Sequence, residues 1–247
     1  MQQGSESEPG SREAFPLTRW SLITRVRQGS AEEVGVAMEE LCQRYWYPIY
    51  AFLRREGHDR PDAEDLVQGF FARMLASESF QRAEQDRGKL RTFLLGSLQH
   101  YLIDEIRFKT AQKRGGGRTV VSIDEKGADG RYLREPAEEV DPALLFEKTW
   151  AQELLGRAID ATRRDYVNRG KGEVFDTLRE FVGWHEKEVP YRQAARELGV
   201  KEGALRVTIF RLRQRFRQAL EKEIAETVSE PAEIEAELAY LRKLVAA

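Results

Sequence analysis

Apolar residues recur at three- and four-residue intervals along most of the chain, the spacing of amphipathic helices. That spacing predicts helices over 20–28 and 34–57, the second ending at Gly57, with Pro48 marking either a kink or a break. The stretch HDRPDAEDLVQGFFARML follows, its acids crowding a first turn where the helix dipole favours them and where Asp59 or Asp62 can cap. Ala63, Leu66, Phe70 and Met74 share one face of that helix. Residues 87–114 read as another helix, apolar in the middle and basic at its end, stopped by Gly115, Gly116 and Gly117. Segment 118–142 carries glycine, proline and acid with little periodicity, which is the pattern of a linker. Beyond it ALLFEKTWAQELLGRAIDATRRDYV is helical again, followed by an RGKG turn and EVFDTLREFVGW. The pattern predicts an all-α fold of two small helical domains joined by a flexible linker. Its divisions are a disordered tail at 1–14, a first domain at 15–114, the linker at 115–142, a second domain at 143–222 and an extension at 223–247.

Within the second domain, residues 189–220 have the punctuation of a helix-turn-helix. YRQAAREL is a short helix with Ala194, Ala195 and Leu198 available to pack. Gly199 supplies the positive φ of a tight turn, and Val200 is expected to plug the space between the helices. The second helix carries Leu205, Ile209, Leu212 and Phe216 along one seam. Gly203, Arg206, Val207, Phe210 and Gln214 point away from it, with Arg211 and Arg217 on the flanks. An outward face of that width and charge suits a DNA major groove. Arg213, Arg215 and Arg217 lie late in the helix and suit phosphate, because the first turns alone reach the groove floor.

Charge sharpens this picture through its distribution, since the whole chain carries only −2. Residues 107–118 hold five basic residues and no acid; residues 201–217 hold six against one acid. Residues 124–147 hold eight acids against three bases, and 221–237 hold seven acids with Lys222 alone opposing them. Two basic islands set in acidic chain point to two places on one polyanion rather than a uniformly adhesive surface. The single cysteine, Cys42, excludes an intramolecular disulfide and a thiolate zinc cluster. The start MQQGSESEPGSREAF is not a signal peptide, and no run nears eighteen apolar residues, so a cytoplasmic protein without membrane insertion is expected.

No constellation for catalysis is present. His58, His100 and His185 lie far apart, none in a zinc-protease spacing, and no phosphate-cradling loop precedes a helix. Neither catalytic residues, nor a metal site, nor a cofactor is expected.

PYRQAARELGVKEGALRVTIFRLRQRFRQAL resembles region 4 of sigma-70-family factors, in particular the extracytoplasmic-function (ECF) group. YPIYAFLRREGHDRPDAEDLVQGFFARML resembles region 2 of that group, and TFLLGSLQHYLIDEIRFKTAQKR resembles the end of region 2. The resemblance covers about residues 34–114 and 145–220, with a linker in place of region 3. It implies a factor that directs promoter-specific initiation by core RNA polymerase, touching the β′ coiled-coil and the β flap. Asp62, Glu64, Asp65 and Gln68 would meet the coiled-coil. The loop around Ser79–Lys89 would capture an extruded −10 base, and Arg91, His100, Asp104, Arg107, Lys109, Lys113 and Arg114 would lie on or beside the promoter strand. Lys201, Gly203, Arg206, Val207, Phe210, Arg211, Arg213 and Arg217 would serve the −35 element. An anti-sigma factor or other regulator is a further expected partner.

Three departures from the group stand out. His100 stands where the group usually has asparagine, segment 145–189 is longer than usual, and the chain continues past region 4. In that extension Ser229 and Pro231 can start an acidic amphipathic helix with Ile234, Leu238 and Leu241 on one side. Such a helix would shield the basic face, bind a partner or cap the domain. The rival functions are a free-standing helix-turn-helix regulator, which would bind DNA tightly without polymerase, and a protein-interaction module that never touches DNA.

Overall fold

The computed structural model describes residues 21–76, 89–112, 131–132, 141–182, 191–228 and 230–246. The expected tail and the glycine triplet at 115–117 lie outside the described residues. Nine α-helices and two short 3-10 turns make up the described residues, and no strand occurs among them. The helices are α1 Ser21–Gln28, α2 Ala31–Arg55, α3 Arg60–Ala76, α4 Leu90–Gln112 and α5 Pro142–Asn168. They continue with α6 Gly172–Leu178, α7 Tyr191–Glu197, α8 Glu202–Ala225 and α9 Ile234–Ala246. The 3-10 turns are Arg179–Phe181, after α6, and Pro231–Glu233, before α9.

Local chemistry sets most of these boundaries. α2 starts three residues before its apolar periodicity does, because Ser30 and Glu33 close a capping box. The Ser30 N–H donates to the Glu33 carboxylate at 2.7 Å, and the Glu33 N–H to the Ser30 hydroxyl at 3.4 Å. Gly57, at φ 95°, ends the turn that follows. Of the two candidate caps for α3, Asp59 performs the role, its Oδ1 accepting from the Asp62 N–H at 2.9 Å. α5 begins on Asp141, whose carboxylate accepts from the Ala143 N–H at 2.8 Å, with Pro142 in the first turn. Pro48 does not break α2. Every residue from Arg44 to Leu53 is buried, and that burial outweighs the one backbone hydrogen bond that proline forfeits.

α2 is the central helix, packed against α1, α3 and α5. α5 in turn carries α6, α8 and α9. The helices on either side of the expected linker therefore meet directly, and one apolar core runs through both, with Tyr45, Tyr50, Phe146 and Trp150 fully buried in it. Two residues of the segment read as linker join this packing. The Arg131 guanidinium lies 3.6 Å from the Tyr47 ring centroid and pairs with Glu153, while the Tyr132 ring lies under Arg54 at 4.8 Å.

The acidic run after the helix-turn-helix is spent inside the molecule. Arg44 of α2 meets Glu223 at 3.4 Å and Glu226 at 4.0 Å, besides Glu40 of its own helix at 2.5 Å. Arg157 of α5 also reaches Glu223, at 2.8 Å. α9 buries Leu238, Leu241 and Leu244 against α5 and α8, so it caps the domain as one of the three expected roles requires. No helix among the described residues is long and apolar enough to cross a membrane.

Candidate nucleic-acid interface

α7 and α8 form the helix-turn-helix. Gly199 turns the chain at φ 63°, and the N–H groups of Gly199 and Val200 donate to the carbonyls of Arg196 and Ala195 at 3.1 and 2.9 Å. Ala194 and Ala195 are buried, and small side chains there allow α7 to sit close to α8. Leu205, Ile209, Leu212 and Phe216 are buried along α8, as their spacing predicts, and Leu220 and Ile224 extend the seam. Val200 corrects one expectation. It is 41% exposed and plugs nothing, because its backbone, not its side chain, closes the end of α7.

The outward face of α8 presents Gly203, Arg206, Val207, Phe210, Arg211 and Gln214, all exposed, with Lys201 just before the helix. Val207 is 49% and Phe210 60% exposed, an apolar pair about one turn apart on a face otherwise set with arginines. On a DNA-reading face such residues suit thymine methyl groups. Arg206 is held in place by Glu202 at 3.1 Å and by the Tyr191 ring, 5.1 Å from its guanidinium carbon. The i, i+4 pairing with Glu202 was readable from sequence, whereas the Tyr191 contact crosses from α7 and was not. Arg211 is exposed and makes no ion pair among the described residues.

The later arginines are engaged by the protein itself. Arg213 donates to the Phe181 carbonyl at 3.0 Å, and Arg215 pairs with Asp165 at 2.8 Å. Arg217 meets Glu221 at 2.7 Å and Glu235 of α9 at 2.5 Å; the hydrogen bond to Glu221, then the nearby carboxylates, raise its pKa further. Base-reading candidates thus concentrate in the first half of α8.

A second exposed surface lies on α4. His100, Ile103, Asp104 and Arg107 fall within about 60° of His100 at 100° per residue. Arg107 is 77% exposed, and Ile103, Ile106 and Phe108 are exposed beside it. Asp104 is braced by Arg73 of α3 at 2.5 Å, a contact the sequence did not suggest, and by Arg107 at 3.8 Å. Lys109 lies on the described part of α4, while Lys113, Arg114 and most of the loop 79–89 lie outside the described residues.

Arg91 stands apart from this group. Nine residues at 100° place it opposite His100, and it is buried at 3% exposure. Its Nε donates to Glu147 at 2.6 Å, its Nη1 pairs with Glu237, and its guanidinium lies over the Trp150 and Tyr240 rings at 4.3 and 4.9 Å. In this arrangement it faces the interior and no nucleic acid.

The four polar residues singled out on α3 also divide. Asp62 and Asp65 are exposed on one face, Glu64 pairs with Arg60 at 2.7 Å, and Gln68 is buried. Asp62 and Asp65 alone form an acidic stripe open to a protein partner.

Two of the comparisons with known proteins, one with curated sequences and one with solved structures, yield no match. The third does: a model of the ECF sigma factor family matches residues 18–169. The matched span contains α1 to α5 and stops before the helix-turn-helix.

Proposed function

Since the chain belongs to the ECF sigma factor family, whose members act in transcription initiation with RNA polymerase on DNA, we propose that it docks on core polymerase through α3 and addresses a promoter at two separate places. The observation that carries this reading is the pairing of two exposed candidate DNA faces, on α4 and on α8, in one chain whose net charge is only −2. Asp62 and Asp65 are the polymerase-facing acids in this reading, meeting the β′ coiled-coil, and α7–α8 sits at the β flap. His100, Asp104, Arg107, Lys109, Lys113 and Arg114 attend the −10 element. Lys201, Gly203, Arg206, Val207, Phe210 and Arg211 attend the −35 element, with Arg213 and Arg217 beside the phosphates. Near-neutral overall charge supports weak DNA binding by the free chain, with affinity supplied when polymerase presents both faces together. The place of action is the cytoplasm, and the protein works without a cofactor.

Run-off transcription with purified core polymerase and genomic fragments tests the reading. Transcripts that depend on the chain, and that are lost in the Arg206→Ala, Arg211→Ala double variant, are expected. Tight, sequence-specific DNA binding without polymerase would instead favour a free-standing regulator. An undiminished transcript in the double variant would remove DNA reading by α8.

A further inference from the structure

α9 seats its leucines on α5 and α8, but its main polar contact is with the other half of the molecule. Glu237 is fully buried. It takes both cations at the start of α4, pairing with Arg91 and with Lys89 at 2.5 Å. Tyr240, one turn on, places its ring 4.9 Å from the Arg91 guanidinium and 5.2 Å from the Lys89 ammonium. Its hydroxyl donates to Glu147 at 3.3 Å, the same carboxylate that accepts from Arg91. The Leu90 N–H donates to the Thr227 carbonyl at 3.1 Å, so the backbone leading into α9 is also tied to the first turn of α4.

A buried ion pair is a peculiar way to fasten two helices. Desolvation of both charges consumes most of the Coulomb gain, so apolar residues of similar volume hold as well or better. What an ion pair adds is specificity for charge, and with it susceptibility to a competitor carrying the same charge. Lys89 and Arg91 held by a carboxylate can equally be held by phosphate oxygens, for which Arg offers a two-pronged donor and Lys a point charge. We infer that α9 is an autoinhibitory strap: Glu237 occupies, on Lys89 and Arg91, the place of a nucleic-acid phosphate, and promoter engagement lifts the helix, which frees Lys89 for the DNA strand and leaves Arg91 with Glu147 of α5 as its remaining carboxylate. The inference rests on the proposed sigma-factor role for the identity of the competitor. α9 also seats three leucines on α5 and α8, so lifting it exposes apolar surface that salt alone does not offset; DNA has to compete for the cations, and polymerase adds to that drive in the full complex.

Hydrogen–deuterium exchange on the full chain, free and in complex with core polymerase and promoter DNA, tests the strap. Amides of 234–246 are expected to exchange at least about tenfold faster in the complex. A complex that forms while α9 stays as protected as in the free chain overturns the inference. A second arm needs no polymerase. Glu237→Gln removes the charge and keeps the shape; it is expected to bind a single-stranded DNA probe about tenfold more tightly than Glu56→Gln, which makes the same charge change at an exposed site. Adding Lys89→Gln to Glu237→Gln is expected to cancel the gain. Equal affinities for the two single variants overturn the strap. Should Glu237→Gln lose its helical circular dichroism, the exchange experiment on the unaltered chain decides. Should polymerase fail to bind at all, the sigma-factor reading falls, and the DNA-probe arm still decides the strap.

Discussion

Arg44 of α2 and Glu223 of α8 meet at 3.4 Å, joining the helix at the centre of the N-terminal half to the helix that carries the candidate DNA-reading face. Arg44 is 7% exposed and also serves Glu40 and Glu226, so three carboxylates converge on one guanidinium. Replacing it with methionine takes one cation from a half-buried cluster of carboxylates, and a loss of about 1–3 kcal/mol is expected. The denaturant midpoint should fall with the slope unchanged. With Glu223→Gln added, the loss should be smaller than the sum of the two single losses, because the Arg44–Glu223 contact is counted in both. A purely additive double variant would mean that the pair is not coupled.

The Tyr101 side chain of α4 lies against Gly69 of α3. A Cβ there would meet the Tyr101 hydroxyl at less than any contact distance, and Tyr101 is itself buried against Phe70, with ring centroids 5.9 Å apart. Gly69→Ala should therefore destabilise by about 1–3 kcal/mol despite alanine's better helix propensity. Tyr101→Phe in the same chain should relieve it, since the oxygen is the atom that obstructs. Thermal unfolding of the four chains checks both statements.

Exposure separates the candidate reading residues from the structural ones on α8. Phe210→Ala should leave stability within about 0.5 kcal/mol, because the ring touches little in the free chain. It should still weaken −35 binding about tenfold in the polymerase complex, as the loss of a base contact does. Arg211→Ala should cost affinity too and lower the salt dependence by about one counterion. Arg217→Ala should lower affinity far less, since Glu221 and Glu235 already hold that side chain. Titrations of the holoenzyme on a promoter fragment at several salt concentrations would rank the three. Arg217→Ala proving the most damaging would reverse the assignment.

Burial makes the fold sensitive to base. The Tyr45 hydroxyl is pushed up to about 12 by desolvation, against about 10 for an exposed tyrosine. The folded chain thus keeps a proton that the unfolded chain releases. The stabilisation is intact below pH of about 10 and is lost as the pH rises through about 12. Tyr101 is shifted the same way, by burial first and Glu105 second, also to about 12. Unfolding free energy measured from neutral to alkaline pH should fall across that window. Tyr45→Phe should flatten the fall without abolishing it, and an unchanged slope would remove Tyr45 as a cause.

Helix identity, the turn at Gly199 and the buried seam of α8 were legible in the residues, because each depends on neighbours within one or two turns. A 3.6-residue period, a positive-φ glycine and a capping aspartate act locally, whatever the rest of the chain does. Even the face of Arg91 was implicit, since nine residues of helix place it opposite His100. Other features depended on partners distant in sequence. The acidic run at 221–237 reads as a solvated flank, yet Glu223, Glu226 and Glu237 neutralise Arg44, Arg157, Lys89 and Arg91 from three other helices. Likewise, nothing local distinguishes Asp65, which is open to a partner, from Gln68, which is buried three residues later. Period and capping are short-range properties and survive translation into sequence pattern. Which charge meets which is decided when α2 and α5 pack, because an ion pair has no periodicity until the helices that bear it are in place.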